Sequence, residues 1–225
     1  MATTRTFDRV TVTTPDLDEP GLHLAKVDTL ESPRGVMQDF AYAGADLRAL
    51  DLADLRLLTG RIDGVRAQRA TFEGLVAHDV EIGGSELGTA RWSESRLSRV
   101  LVRDCKLLGA ALSGVVLDDV LFERCKLDYA TFERVRATGP VVFHECVLTE
   151  AVFTDCDLSG VVFSDCALRR AEFGAGRYRG ADLRGNDLST VRGIAHLAGV
   201  RIGPEQQGEL AQALVGELGI TVGDV

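Results

Sequence analysis

The sequence has no run of about eighteen apolar residues, the least a membrane-spanning helix needs, so no membrane insertion is expected. Its first residues lack the apolar stretch of a secretory signal, and a cytoplasmic protein is the expectation. Histidine is scarce: His23, His78, His144 and His196 are scattered, and no paired cluster arises. Glycine-rich phosphate loops and the nucleophile elbow are also missing. These absences remove the usual starting points for metal, phosphoryl-transfer and covalent chemistry. A non-enzyme without metal or cofactor follows as the expectation. Apolar residues, at 45% of the chain, suffice for a core, but they are spread along the sequence instead of gathered in blocks.

What the chain has in abundance is a period of five. The run opens Ala45-Asp46-Leu47-Arg48-Ala49, continues Leu50-Asp51-Leu52-Ala53-Asp54, and closes with Ala181-Asp182-Leu183-Arg184-Gly185. We take the third residue of each unit as its centre. Centres recur at every fifth position from Leu47 to Ala137, skip one residue, and resume from Phe143 to Leu188. Nearly all are apolar; the residue two before each is small, usually Ala, Val or Cys, and the other three are mostly polar. Neither a helix nor a flat strand has this period. A fixed short repeat marks a solenoid, whose stacked units bury a continuous core that no single unit could bury.

Sorting the centres by twenty gives four rows. One reads Leu47, Ala67, Leu87, Leu107, Leu127, Leu148, Leu168, Leu188; the next reads Leu52, Phe72, Trp92, Leu112, Phe132, Phe153, Phe173. The fourth ends Phe122, Phe143, Phe163, Leu183. Like stacks on like if the extra residue at Thr138-Gly139-Pro140 is taken up as a local bulge. The expectation is a four-sided coil of twenty residues, two facing inward and three outward in each unit.

These units resemble the A-(D/N)-L-x-x motif of the pentapeptide-repeat family. The resemblance implies an all-β fold, a right-handed quadrilateral β-helix; the handedness rests on the resemblance alone. Stepping back by fives from Leu47 lands on Tyr42, Met37, Ser32, Val27, Leu22, Leu17, Val12 and Phe7, nearly all apolar. Residues 1–44 are therefore expected to form an irregular first pair of coils that caps the solenoid, broken by Pro15, Pro20 and Pro33. Val10-Thr11-Val12-Thr13 alternates as a strand does. Residues 45–190 are the solenoid proper, with its bulge near 138–140, and 191–225 a C-terminal helix and strand. Both stretches together make about nine coils, a rod of roughly 43 Å at about 4.8 Å per coil.

Cys105, Cys125, Cys146, Cys156 and Cys166 share one inward position, two before a centre. Their spacing is that of the coil, not of a C-x2-C metal site. Packing as small hydrophobes is expected of them, with disulfide or zinc as the alternatives.

Outward charge is uneven. The Phe72/Trp92 row carries seven acids, Asp51, Asp54, Glu73, Glu94, Glu133, Asp155 and Glu172, against two arginines, Arg91 and Arg134. The Phe122/Phe163 row carries seven acids against four arginines, and the other two rows are each about two charges positive. The first set is the candidate partner-binding surface; the competing reading is that such charge serves solubility. Beyond Leu188, Gly203-Pro204-Glu205-Gln206-Gln207 reads as a helix start. Leu210, Leu214, Val215 and Leu218 follow at helical spacing, Gly219 stands as C′, and Ile220-Thr221-Val222 reads as a short strand. The helix is expected to cover the open end of the coil. Leu210, Leu214, Val215, Leu218, Ile220 and Val222 are the candidate dimerisation residues.

The tail from Leu197-Ala198-Gly199-Val200-Arg201-Ile202 to Val222 resembles that of the quinolone-resistance pentapeptide proteins, the MfpA and Qnr groups. That resemblance implies an acidic homodimeric rod that imitates duplex DNA and binds DNA gyrase or topoisomerase IV, with no direct nucleic-acid binding. It thereby implies inhibition of the topoisomerase or protection from quinolone poisons. Two departures are visible: no long loops project from the coils, and a net charge of −9 is modest beside DNA. A non-catalytic interaction scaffold with an unrelated partner is the alternative.

Overall fold

The computed structural model describes residues 2–221 and 223. Its repeating element is a short extended segment followed by a sharp corner. The residue two after the centre has positive φ in unit after unit: glycine at Gly64, Gly74, Gly84 and Gly114, and non-glycine residues such as Asp79, Asp104 and Arg124 near 50° elsewhere. A left-handed residue at a fixed interval turns an extended chain through a corner, which explains a period of five where a flat strand would show two. Strands pair in parallel with the coil before and after. Val36–Ala43 meets Arg56–Asp63, which meets Val76–Gly83, then Arg96–Arg103 and Val116–Glu123, always twenty residues apart. The Leu47 and Phe72/Trp92 rows belong to an eight-stranded sheet, and the other two rows to an eleven-stranded one. The chain is thus a β-solenoid of roughly seven turns with one C-terminal helix.

The extra residue falls where the sequence places it. Leu117 faces Ala137 at an offset of twenty, and Val120 faces Val141 at twenty-one. The Val120 amide donates to the Pro140 carbonyl at 3.0 Å across the bulge. A Cβ on residue 139 would stand 2.0 Å from the Asp118 carboxylate, so a larger residue there would require that side chain to move.

The N-terminal expectation needs correction. Tyr42 and Met37 do stack on Ile62 and Leu57. Upstream, however, Ala25–Lys26 pairs with Phe40–Ala41 at an offset of fifteen, so the first coil is one unit short. Residues 2–15 form no coil. Ala2–Phe7 (β1) and Val10–Pro15 (β2) pair antiparallel as a hairpin through six residue pairs. The hairpin lies on the outside of the Phe122/Phe163 side, where Val12 is buried against Leu121, Val142 and Val162. The rod's longest side, Tyr42 to Ile202, measures roughly 38 Å at about 4.8 Å per rung.

The core is built of columns. Phe72 stacks on Trp92; Phe122, Phe143 and Phe163 stack in turn; so do Phe132, Phe153 and Phe173, with centroids 4.3–5.1 Å apart. The last two columns meet edge to face, the geometry that ring quadrupoles favour. All five cysteines are free and buried. Cys105, Cys125, Cys146 and Cys166 form one column, each thiol donating to a carbonyl of the preceding coil, from Ile82, Val102, Phe122 and Phe143. Ser85 opens that column and Asn186 closes it, its side-chain amide reaching the Phe163 carbonyl at 2.8 Å.

The open end is sealed by polar groups more than by apolar ones. In the helix Gln206–Glu217 (α1), buried Gln206 donates to the carbonyls of Leu183 and Asn186. Glu209 accepts from the Leu188 amide, and Glu217 from those of Gly193 and Ile194. These carboxylates satisfy backbone donors that an uncovered sheet edge would leave unpaired. Gly219 has φ 65°, and the Ile220 amide bonds the Val215 carbonyl at 3.0 Å, the Schellman closure expected of a C′ glycine. Ile220 and Thr221 lie in no strand, contrary to the sequence reading, and Val222 lies outside the described residues.

Candidate interaction surface

Each proposed contact acid occupies an outward position of its unit: Asp51 and Glu172 sit between the two inward residues, and the other five follow the inward pair. Asp51 and Asp54 belong to the first coil of this side, and Glu73 and Glu94 to the next two. Glu133, Asp155 and Glu172 belong to the last three. All seven are exposed. The coil between the two groups presents Ala111, Ser113 and Gly114 and carries no charge there. Glu133 pairs with Arg134, whose guanidinium also reaches the Ser113 hydroxyl at 2.9 Å. Among the described residues the other six acids form no ion pair.

The opposite, Phe122/Phe163 side has as many acids and a different electrostatic state. Glu81 lies between Arg61 at 3.2 Å and Arg103 at 2.5 Å. Asp104 pairs with Arg124 at 2.7 Å, and Glu123 with Arg124 and with Arg5 of the hairpin. Asp182 holds Arg184, which also reaches Asp8 at 2.6 Å. Burial works against ionisation of Glu123, but Arg5 and Arg124 outweigh it and hold its carboxyl below the usual range. The hydrogen bond from Arg124 does the same for Asp104. Arginine pairs with four of this side's seven acids, Glu81, Asp104, Glu123 and Asp182, and the hairpin covers much of its length; among the described residues Asp63, Glu145 and Asp165 have no arginine partner. The two acidic sides of the sequence thus differ in the folded chain: one is uncovered with its acids almost all unpaired, the other is largely covered with more than half of its acids paired.

The sequence reading missed that covered surface, and a signal for it exists. The residue before the centre is charged at Arg61, Glu81 and Asp182 in this row but apolar at Leu101, Leu121, Val142 and Val162. That stripe is where Phe7, Val10 and Val12 pack.

The candidate dimerisation residues divide. Leu214, Leu218 and Ile220 are exposed, at 39%, 62% and 53%. Leu210 is half-buried and packs on the main core, and Val215 faces a groove between the helix and the last coil, beside Arg192 and His196. Among the described residues no three His, Cys, Asp or Glu side chains gather as a metal site would require, and no helix is long and apolar enough to cross a membrane.

Comparison with known proteins places these features. The profile of the family described as pentapeptide repeats matches residues 141–174, in 8 copies. No curated protein sequence matches the chain. Among solved structures, a trypsin-treated form of QnrB1, a plasmid-mediated fluoroquinolone resistance protein, is similar at 20% identity. That match covers 90% of this chain and 100% of that one, with a TM-score of 0.44. Full-length QnrB1 is similar at 17% identity over 76% of this chain and 99% of its own, TM-score 0.40. HetL, a pentapeptide repeat protein involved in heterocyst differentiation regulation in the cyanobacterium Nostoc, matches at 18% identity. It covers 73% of this chain and 90% of its own, TM-score 0.26. The inward pair, the corner and the offset of twenty or twenty-one seen within 141–174, the stretch that matches the pentapeptide-repeat profile, recur from Val36 to Asp182.

Proposed function

We propose that this protein is a dimeric DNA mimic that acts on a type II topoisomerase, DNA gyrase foremost, and modulates it or protects it from quinolone-like poisons. One observation carries the reading: exposed carboxylates without cationic partners recur along one uncovered side of the rod, while on the opposite side most acids are paired with arginine and the hairpin lies over the surface. Fixed negative charge at coil spacing suits a basic groove built for duplex DNA, and it speeds encounter by long-range attraction. Two rods joined at their C-terminal ends would span roughly 80 Å, the length of about two dozen base pairs at 3.4 Å each. The resemblance of the tail to the MfpA and Qnr groups supports the same reading.

A supercoiling assay with gyrase at micromolar dimer, with and without a fluoroquinolone, tests it. We expect altered supercoiling or altered drug inhibition, abolished by joint charge reversal of Asp51, Glu73, Glu94 and Glu133. No effect of the native protein on gyrase or topoisomerase IV would sink the proposal and leave an interaction scaffold with another partner.

A further inference from the structure

The hairpin is attached to the solenoid in an unusual manner. Its six residue pairs make it a hydrogen-bonded unit in its own right. Among the described residues, no backbone–backbone hydrogen bond joins residues 2–15 to the coils. What holds it is a line of side-chain contacts. Asp8 at the turn pairs with Arg184; Phe7 lies against His144 with ring centroids 5.0 Å apart; Arg5 pairs with Glu123. The Thr13 amide donates to the Asp119 carboxylate at 2.8 Å, and just past the hairpin Asp18 pairs with Arg61 at 3.2 Å. Arg61 and Arg184 stand near opposite ends of the rod, six coils apart. The segment therefore runs along the axis, across strands that otherwise contact only the coil on either side. The apolar stripe beneath, Leu101, Leu121, Val142 and Val162, is confined to the rungs it crosses.

We propose that residues 2–15 form a detachable clasp, which opens as one unit and, when closed, couples distant coils into a single cooperative block. In a solenoid each coil interacts with its nearest neighbours alone, so the ends open separately from the middle. A clasp that touches coils from one end to the other penalises any local opening beneath it. Because its backbone bonds are internal, it can leave without breaking a rung.

Native-state hydrogen exchange on the full chain tests this. Amides of the hairpin should exchange together, at least about tenfold faster than those of Arg96–Arg103 and Val116–Glu123. Val12→Asp places a charge on a fully buried apolar contact. It should speed hairpin exchange by a further factor of about ten or more and broaden the thermal transition, while those two strands stay protected. Asp119→Gly removes the acceptor of the Thr13 amide at a corner with φ 52°, where glycine is at ease. It should act in the same direction, less strongly. The proposal is overturned if hairpin amides exchange only at the rate of global unfolding. It is also overturned if Val12→Asp releases the two strands in the same step, or if neither variant alters hairpin exchange.

Discussion

Glu94 stands at φ 48°, a corner at which a side chain carries strain and glycine carries none. Asp54 and Asp155 share that conformation, at 52° and 54°, while the equivalent corners of the intervening coils hold Gly74, Gly114 and Arg134, the last at 51°. Acid at these corners therefore gains nothing for the fold, and a separable effect is expected. Glu94→Gly should leave the thermal midpoint unchanged or raise stability by up to about 1 kcal/mol, while weakening any action on a topoisomerase. Calorimetry and the supercoiling assay read the two effects independently; a lower midpoint would make this carboxylate structural. The exposure of each acid was legible in the sequence, because its position in the unit decides it. Pairing was not: Arg5 and Asp8 meet Glu123 and Arg184 across more than a hundred residues, and the period carries no trace of them.

The cysteine columns show what an inward position asks of a side chain. A corner carbonyl of the preceding coil needs a donor, and a thiol, a serine hydroxyl or an asparagine amide supplies it from the same place. Burial pushes the Cys156 thiol up to about 11. The neighbouring Cys125 thiol, together with burial, pushes Cys105 upward as well. An unfolded thiol ionises near 8.5. The folded values lie higher, so these groups contribute their full stability below that pH and lose it as pH rises toward the folded values. Unfolding free energy should fall above pH 8.5 with a slope that each shifted thiol steepens by up to about 1.4 kcal/mol per unit. Urea titrations from pH 7 to 10 check this against Cys156→Ala, whose decline should be shallower; equal slopes would refute the assignment. The row of cysteines was readable from their shared position. The N-terminal hairpin was readable only as a strand, because the same alternation of Val and Thr serves a coil or a hairpin and the decisive partner lies elsewhere in the chain.

At the scale of the whole molecule, Leu214, Leu218 and Ile220 leave an apolar patch on the far side of a helix whose other face seals the rod. A second copy meeting this patch across a two-fold axis would align two rods end to end. Joint Leu214→Glu and Leu218→Glu substitution should give a folded monomer, with circular dichroism unchanged and the mass in light scattering halved. A native protein that is already monomeric, or a dimer that survives both changes, would remove the patch from that role.

The insertion at Gly139–Pro140 bears on something larger than its own corner. A residue can be added there without disturbing the rungs above or below, since Val120 still finds Val141 and Leu117 still finds Ala137. Errors in length are thus quarantined where they arise and never propagate down the axis. The rod behaves as a graduated ruler: whole turns could be spliced out or duplicated, changing its reach in steps of about 4.8 Å, with the chemistry of each side left in line.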